Sequence, residues 1–533
     1  MESRNSATSP IKTSSNKAKI NEHRLFKWFI LVISVTASFM AILDINIVIV
    51  ALPKMMSHFG VNVITIDWVI IAYTITYSVI ILITSYLSRK YGLKIPFIIS
   101  IIFFVIGSAF CGFAPSYRIL IIFRIIQAVG GAGLIPISVS LIAKYFKAHE
   151  RGTAMGIWTI GIMVAPALGP IIGGYFVDYV DWRMIFYFNV PIGIILLLAS
   201  FLLLDKDIPL KPFAKKFDYI GFILIAICLG TLLYVLNEGQ TLEWDSPIIR
   251  LYELICAISL ILFLIVEIFS KKYLMDYSLF KNNNFLTGNL VSMIRAAGIF
   301  STLFLLPIFI EDILNYNAMH AGYLMAPFAI AVAAISPVAG KIADKYGPKY
   351  LLVAGMLIFA FANFQLGNIS LQTSIPFIVY NQFFRGLGVG LINAPVMMAV
   401  INSAKFEQIP DASALYNVLF QIGASFGIAW SGQELAVRQV YHLNQYARDI
   451  NYNSYGFNNI MNILREDIMK NGNSVIKAIG HPSSPLKIFD YLINEFSLIG
   501  AYGDVYVILG YLCIFGAICA MFVRNNKAKS KQK

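Results

Sequence analysis

Apolar stretches of about twenty residues, long enough to cross a bilayer core, recur along this chain, and nothing constrains its fold more. Separated by charged or Gly/Pro-containing segments, they fall at 26–52, 64–87, 95–114, 117–143, 153–176, 184–204, 218–237, 248–270, 285–310, 320–340, 350–369, 374–400, 412–432 and 502–523. Backbone in lipid must satisfy its own polar groups, so such runs specify an all-α polytopic membrane protein. The composition agrees, with 58% hydrophobic and 13% charged residues, where a soluble chain carries about 25% charged. The first 25 residues are polar. The run that follows is too long for a signal-peptide core and lacks a small-residue cleavage site, so a retained tail is expected.

An even number of spans puts both termini on one face. The net charge of +13 would suggest nucleic acid in a soluble chain, but here it follows topology. Lys and Arg gather on the tails and on the loops of the tail face. The opposite side carries only Lys54, Arg118, Arg183, Arg250 and those of the long last loop, while Arg124, Arg295 and Arg385 lie inside spans. The positive-inside rule then makes both termini cytoplasmic, and contact with membrane lipids absorbs the excess charge.

The same residues exclude several classes. All 5 cysteines sit in apolar runs, and the 6 histidines are scattered without ligand spacing, so no metal site is expected. No GxxxxGK[ST] loop occurs, which excludes ATP-driven transport by this chain alone. A membrane enzyme would need paired carboxylates or a His cluster at common depth, and none is visible; the chain is read as a non-enzyme without cofactors.

Two segments repeat. Ser85–Lys94 (SYLSRKYGLK) follows the second span and Gly340–Lys349 (GKIADKYGPK) the tenth, with Gly92 and Gly347 in register. Gln127–Pro136 and Gly386–Pro395 recur in the fourth and twelfth spans in the same order. Parallel halves of six spans with two spans between them are the arrangement of a rocking-bundle transporter. The division is a tail over 1–25, a six-helix bundle over 26–204 and two linker spans with flanking loops over 205–284. A second six-helix bundle over 285–523 contains the extracytoplasmic loop 432–502, and a basic cytoplasmic tail covers 524–533.

Asp44 is the only carboxylate well inside the first six spans, and such a group needs a cavity, a partner or a proton. It lies about 13 Å below the end of span one and Arg124 about 10 Å below that of span four, at 1.5 Å per residue. Matching depth allows an ion pair, and moving the guanidinium away from a buried carboxylate would switch its protonation. Arg124, Gln127, Gly131 and Ser138 share one face of span four; Ser413, Asn417, Gln421 and Ser425 recur at i+4 on span thirteen. Asn289, Ser292 and Arg295 on span nine, with Gln382, Arg385 and Asn393 on span twelve, extend the polar set, either lining a cavity or joining helices. Gly161, Ala165, Gly169 and Gly173, interrupted by Pro166 and Pro170 and followed by Gly174, suggest a packed hinge between the halves.

Taken in order, LDINIVIVALP (43–53), the Gly92 loop, Arg124-Ile-Ile-Gln127 and Ala165–Gly174 carry a family resemblance. DWRMIFYFNVPIG (181–193), Phe217–Gly221 and Ala412–Trp430 extend it. The chain resembles the major facilitator superfamily, specifically the fourteen-span drug:proton antiporters of the EmrB/QacA type, from about Leu43 to the last span. The long last loop looks more like EmrB. The resemblance implies a bacterial inner-membrane protein and the major facilitator fold, and it associates the span-five stretch with antiport. It also implies work with a periplasmic adaptor of the EmrA type and a TolC-type outer-membrane channel.

The family's cytoplasmic gating loop reads G-x-x-x-D-[RK]-x-G. Gly340, Asp344, Lys345 and Gly347 obey it. In the first copy, with Lys90 and Gly92 kept, Ser85 and Arg89 replace Gly and Asp. An inner latch dominated by the second half is therefore expected, with Asp344→Ala more damaging than Arg89→Ala.

The leading reading is proton-driven export of amphipathic compounds, neutral or weakly acidic because the central second half holds Arg295 and Arg385 but no carboxylate. Transport of a specific metabolite or siderophore by the same fold is the alternative among transporters, and a non-transporting receptor or scaffold the alternative outside them. The loop 432–502 is read as a solvated cap or a docking surface, with the pattern of short amphipathic helices from Asn458 to Ile479.

Overall fold

A computed structural model describes residues 12–205, 216–269, 272–316, 318–449 and 485–525, together with 457, 459 and 462. Fourteen helices in it are long and apolar enough to cross a membrane. They are α1 Lys12–Phe59, α2 Val63–Tyr91, α3 Lys94–Phe113, α4 Tyr117–Tyr145, α5 Arg151–Tyr179, α6 Met184–Leu203 and α7 Tyr219–Glu238. Then come α8 Pro247–Phe269, α9 Asn283–Ile313, α10 Ala318–Tyr346, α11 Lys349–Leu366, α12 Ile375–Ser403, α13 Ile409–Asp449 and α14 Pro485–Met521.

The first six helices pack together through α1 against α5, α3 against α4 and α2 against α4. The last six do so through α10 against α12, α9 against α13 and α11 against α14. Between them α7 and α8 pair as a hairpin, α7 resting on α2 and α13. This is an all-α polytopic protein of two six-helix bundles with two added helices. Ile195, Leu198 and Phe201 on α6 and Ile261, Leu264 and Phe269 on α8 stay exposed, as lipid contact requires.

With no hydrophobic drive between helices in lipid, close backbone approach has to hold them. At the crossing of α5 and α10 a Cβ on Gly152 would lie 2.4 Å from the Gly340 carbonyl oxygen, and one on Gly340 2.0 Å from that of Gly152. Any side chain here would force the two bundles apart. The repeated loop glycines have a different cause: Gly92 and Gly347 sit at φ 81° and 88°, conformations that L side chains rarely adopt.

Three expectations shift. Gly161, Gly169 and Gly173 face Val35, Asn46 and Ile47 of α1, inside the first bundle and not between the halves. Gly152 and Gly156, on another side of α5, meet α10 instead. Helix α1 begins at Lys12, within the polar tail. On the face opposite the termini, α13 and α14 continue beyond their apolar runs, to Asp449 and from Pro485. These extensions are amphipathic: Leu435, Leu498 and Ile499 join the core around Tyr502 and Tyr506. Glu434 pairs with Arg438 at 2.7 Å and His442 with Asp504 at 3.0 Å. The stretch Asn458–Ile479, apart from 459 and 462, lies outside the described residues.

Candidate functional site

The first bundle buries a polar knot built from five helices, α2 among them through Val69 and Tyr73. Asp44 of α1 and Arg124 of α4 are both fully buried, and Arg124 Nη1 donates to Asp44 Oδ2 at 2.6 Å. The other carboxylate oxygen, Oδ1, accepts from Gln127 Nε2 and from Asn189 Nδ2 of α6, each at 2.8 Å. Gln127 ties the group further, accepting from Arg124 Nη1 at 2.6 Å and donating to Ser108 Oγ of α3 at 2.7 Å. Arg124 Nε donates to the Val69 carbonyl at 3.2 Å, and its guanidinium lies over the Tyr73 ring at 4.3 Å.

Three donors thus converge on Asp44. A proton arriving there removes the charge that holds these donors, so protonation and the positions of α1, α4 and α6 are linked. Depth alone brought Asp44 and Arg124 together in the sequence. Asn189 and Ser108 were missed, although Asn189 lies in the quoted 181–193 stretch.

The second bundle differs. Arg295 Nη2 donates to Tyr416 Oη at 3.1 Å and Ser292 Oγ at 3.3 Å, and its guanidinium faces Phe420 at 5.0 Å. Arg385 Nη1 donates to Gln382 Oε1 at 3.0 Å, and the group sits between Phe328 and Phe359 at 5.4 and 5.6 Å. These contact sets share no residue. The amides of Asn289 and Asn417 turn back to their own helix, donating to the Phe285 and Ser413 carbonyls. Asn393 is buried, and Gln421 is partly exposed. The expected cavity residues therefore form separate clusters, with Gln127 in the Asp44 knot.

Among the described residues the two repeated loops each latch the bundles together at the tail face, beside a hydrogen bond from Arg151 of α5 to Asn402 of α12 at 2.7 Å. Asp344 accepts from the backbone N–H of Gly152 and Thr153 and from Thr153 Oγ1, each at 2.8 Å. A second-half carboxylate thereby caps the positive end of α5. Lys345 and Lys90 stand over the neighbouring Tyr346 and Tyr91 rings at 5.0 Å.

The first copy of the loop works with reversed sign. Arg89 Nη1 pairs at 2.6 Å with Asp411, a fully buried residue in the first turn of α13. Tyr273, from the segment linking α8 to α9, adds its hydroxyl to both partners. Its backbone is fixed by Tyr273 N–H donating to Lys216 O at 3.0 Å and Asp218 N–H to Tyr273 O at 3.2 Å. Burial, reinforced by the Asp411 charge, pushes the Tyr273 phenol well up. Asp276, 3.9 Å from Arg89, is pushed up by burial, but hydrogen bonds from Gln408 and Ser278 and the Arg89 charge outweigh this and hold it below the usual carboxylate range. Asp411 escaped the sequence reading because it lies one residue outside the apolar run 412–432. Nothing local in the sequence points to Tyr273.

A family model described as Major Facilitator Superfamily matches residues 35–428. The multidrug export protein EmrB of Escherichia coli (strain K12) is 30% identical over 78% of this chain and 81% of its own length. The fatty acid resistance protein FarB of Neisseria gonorrhoeae is 30% identical over 78% of this chain and 82% of its own. Among solved structures, the human organic anion transporter MFSD10 superposes with a TM-score of 0.59 at 11% identity, covering 93% of this chain and 99% of that one, a likeness of fold alone.

Proposed function

The chain belongs to the major facilitator superfamily, and we propose that within it this membrane transporter is a proton-coupled antiporter exporting amphipathic, neutral or weakly acidic compounds across the bacterial cytoplasmic membrane. The observation that carries this reading is the Asp44 knot: a fully buried carboxylate whose charge holds three donors from two other helices, a hold that weakens when it takes a proton. Asp44 is the proton carrier and Arg124 its switch partner. Gln127 and Asn189 hold the deprotonated geometry.

The tail face is the cytoplasmic face, and its two latches close it while the opposite side is accessible. Rocking of the bundles breaks Asp344 from α5 and Arg89 from Asp411. Gly169 and Gly173, between Pro166 and Gly174, keep α5 close to α1, so that movement at Asp44 reaches the helix that Asp344 caps. Export is supported by the likeness to EmrB, and an acidic substrate class by the likeness to FarB. The extensions of α13 and α14 stand on the opposite side, where an EmrA-type adaptor leading to a TolC-type channel would dock.

The test uses purified protein in liposomes under an imposed pH gradient, with a panel of amphipathic compounds. Compound-driven proton movement supports the reading. Compound movement indifferent to the gradient and to Asp44→Asn would refute it. For sidedness, single cysteines at positions 216 and 281 should label from the cytoplasm and one at 243 from outside.

A further inference from the structure

Arg385 presents a charge that the protein leaves unbalanced. It lies about 15 Å along α12 from the end opposite the termini, near mid-bilayer at 1.5 Å per residue, and is fully buried. A guanidinium cannot shed its proton, so burial leaves a full positive charge. No carboxylate pairs with it among the described residues, and its electrostatic neighbours are Tyr506 and Cys513 of α14.

The pattern of satisfied and unsatisfied nitrogens is specific. Nη1 is taken by Gln382, whereas Nε and Nη2, both buried, have no partner among the described residues. Those two N–H groups form one edge of the guanidinium, and they point in parallel, matching the two oxygens of a carboxylate. Gln382 Nε2 and the Tyr506 hydroxyl are also buried and unpartnered among the described residues. The guanidinium lies against the rings of Phe328 and Phe359, with Gln382 bonded to it and Tyr506 an electrostatic neighbour. In Arg124 the corresponding positive charge is met by Asp44, whereas in Arg295 two hydroxyls share Nη2 and only Nε is buried without a partner among the described residues, so neither presents a free two-nitrogen edge.

We propose that Arg385, with Gln382 and Tyr506, binds a single negative charge, the carboxylate head of an amphipathic substrate whose apolar body lies against the phenylalanines. This rests on the export reading and adds to it a place for the substrate's charge, separate from the proton's. Helix α12 packs against α5 of the first bundle as well as α10, so rocking of the halves moves this site. A free anion such as chloride offers the same charge, and the test separates the two sources.

Binding to the full-length purified protein is measured for two matched pairs, 2-naphthoate with 2-naphthamide and dodecanoate with dodecanamide, alongside thermal melting in chloride against gluconate. In at least one pair the acid should bind wild type about tenfold or more tighter than its amide, the worth of a charge-assisted bidentate contact. Arg385→Gln should abolish that preference. Arg385→Lys keeps the charge, loses the fork and serves as the folding control; it should fall between. Equal affinity within both pairs, no binding of any acid, or a preference that survives Arg385→Gln overturns the proposal. Chloride stabilisation that needs Arg385, without acid preference, overturns it in favour of a free anion. Amide-driven proton release that depends on Asp44, seen together with no acid preference, would sink this inference and leave the export reading standing.

Discussion

Arg124 and Arg385 are both fully buried, about 10 Å and about 15 Å from the same ends of their helices, yet one is paired with a carboxylate and the other keeps a bare edge. Around Arg124, the Asp44 carboxylate and the amides of Gln127 and Asn189 bond one another, with Asn189 Oδ1 left without a partner among the described residues, and the member that can take a proton is Asp44. Around Arg385 the unpartnered groups named above are donors, and what they can admit is an anion. On the proposed reading, one repeated architecture carries two jobs, with the coupling proton assigned to the first bundle and the substrate's charge to the second.

The harshest way to break this comparison is Asp44→Asn. Gradient-driven efflux should fall to background while substrate binding persists, because the amide keeps the shape of the protonated acid. Efflux assays beside binding on the same preparation check it. Retained coupling would erase the distinction between the bundles.

The latches extend the comparison to the tail face and come next in effect. Breaking a buried ion pair by removing one partner costs about 3–5 kcal/mol, and Arg89→Ala leaves Asp411 buried without its cation. The half-exposed α5 end that Asp344 caps can recruit water instead, a loss nearer 1–2 kcal/mol. Structure therefore reverses the order expected from sequence: at equal expression, initial efflux should suffer more from Arg89→Ala than from Asp344→Ala. The swap Arg89→Asp with Asp411→Arg should recover much of the loss, and failure to do so would show that sign alone does not make the latch.

Tyr273→Phe removes one hydroxyl from that latch and should cost about 1–3 kcal/mol, read as a several-fold drop in efflux with substrate affinity unchanged. No effect would mean that the linker hairpin is a bystander.

The smallest expected effect is at the tail end of the first bundle. The hydrogen bond from Lys27 holds Glu150 below the usual carboxylate range, at an N–O distance of 2.8 Å. A depressed carboxyl contributes stability above its unfolded value and loses it as pH falls through the folded one. Glu150→Gln should thus lower the melting temperature at pH 7 by no more than about a degree, and the gap should close toward pH 3–4. A gap that widens in acid would contradict the assignment.

Legibility followed the range of the interaction. Hydropathy runs, the loop repeats and the depths of Asp44 and Arg124 are local or periodic signals, and they led to fourteen helices, two related bundles and one ion pair. Asp411 pairs with a residue 322 positions away, a relation no window along the chain contains. Tyr273 reaches the latch only because an isolated bridge to Phe217 fixes its segment. The span-five glycines revealed a close-packing face but not its partner, since spacing defines a face and only the packed fold says what it meets. The apolar window also cut α13 and α14 short, because their extensions carry charge on one side while burying Leu435 and Ile499 on the other.

Proton release on adding substrate to detergent-solubilised protein, wild type beside Asp44→Asn, tests the central claim most directly. Wild type should change its proton occupancy when substrate loads, and Asp44→Asn should release none while still binding. Equal release from both would place the coupling proton elsewhere and contradict the account.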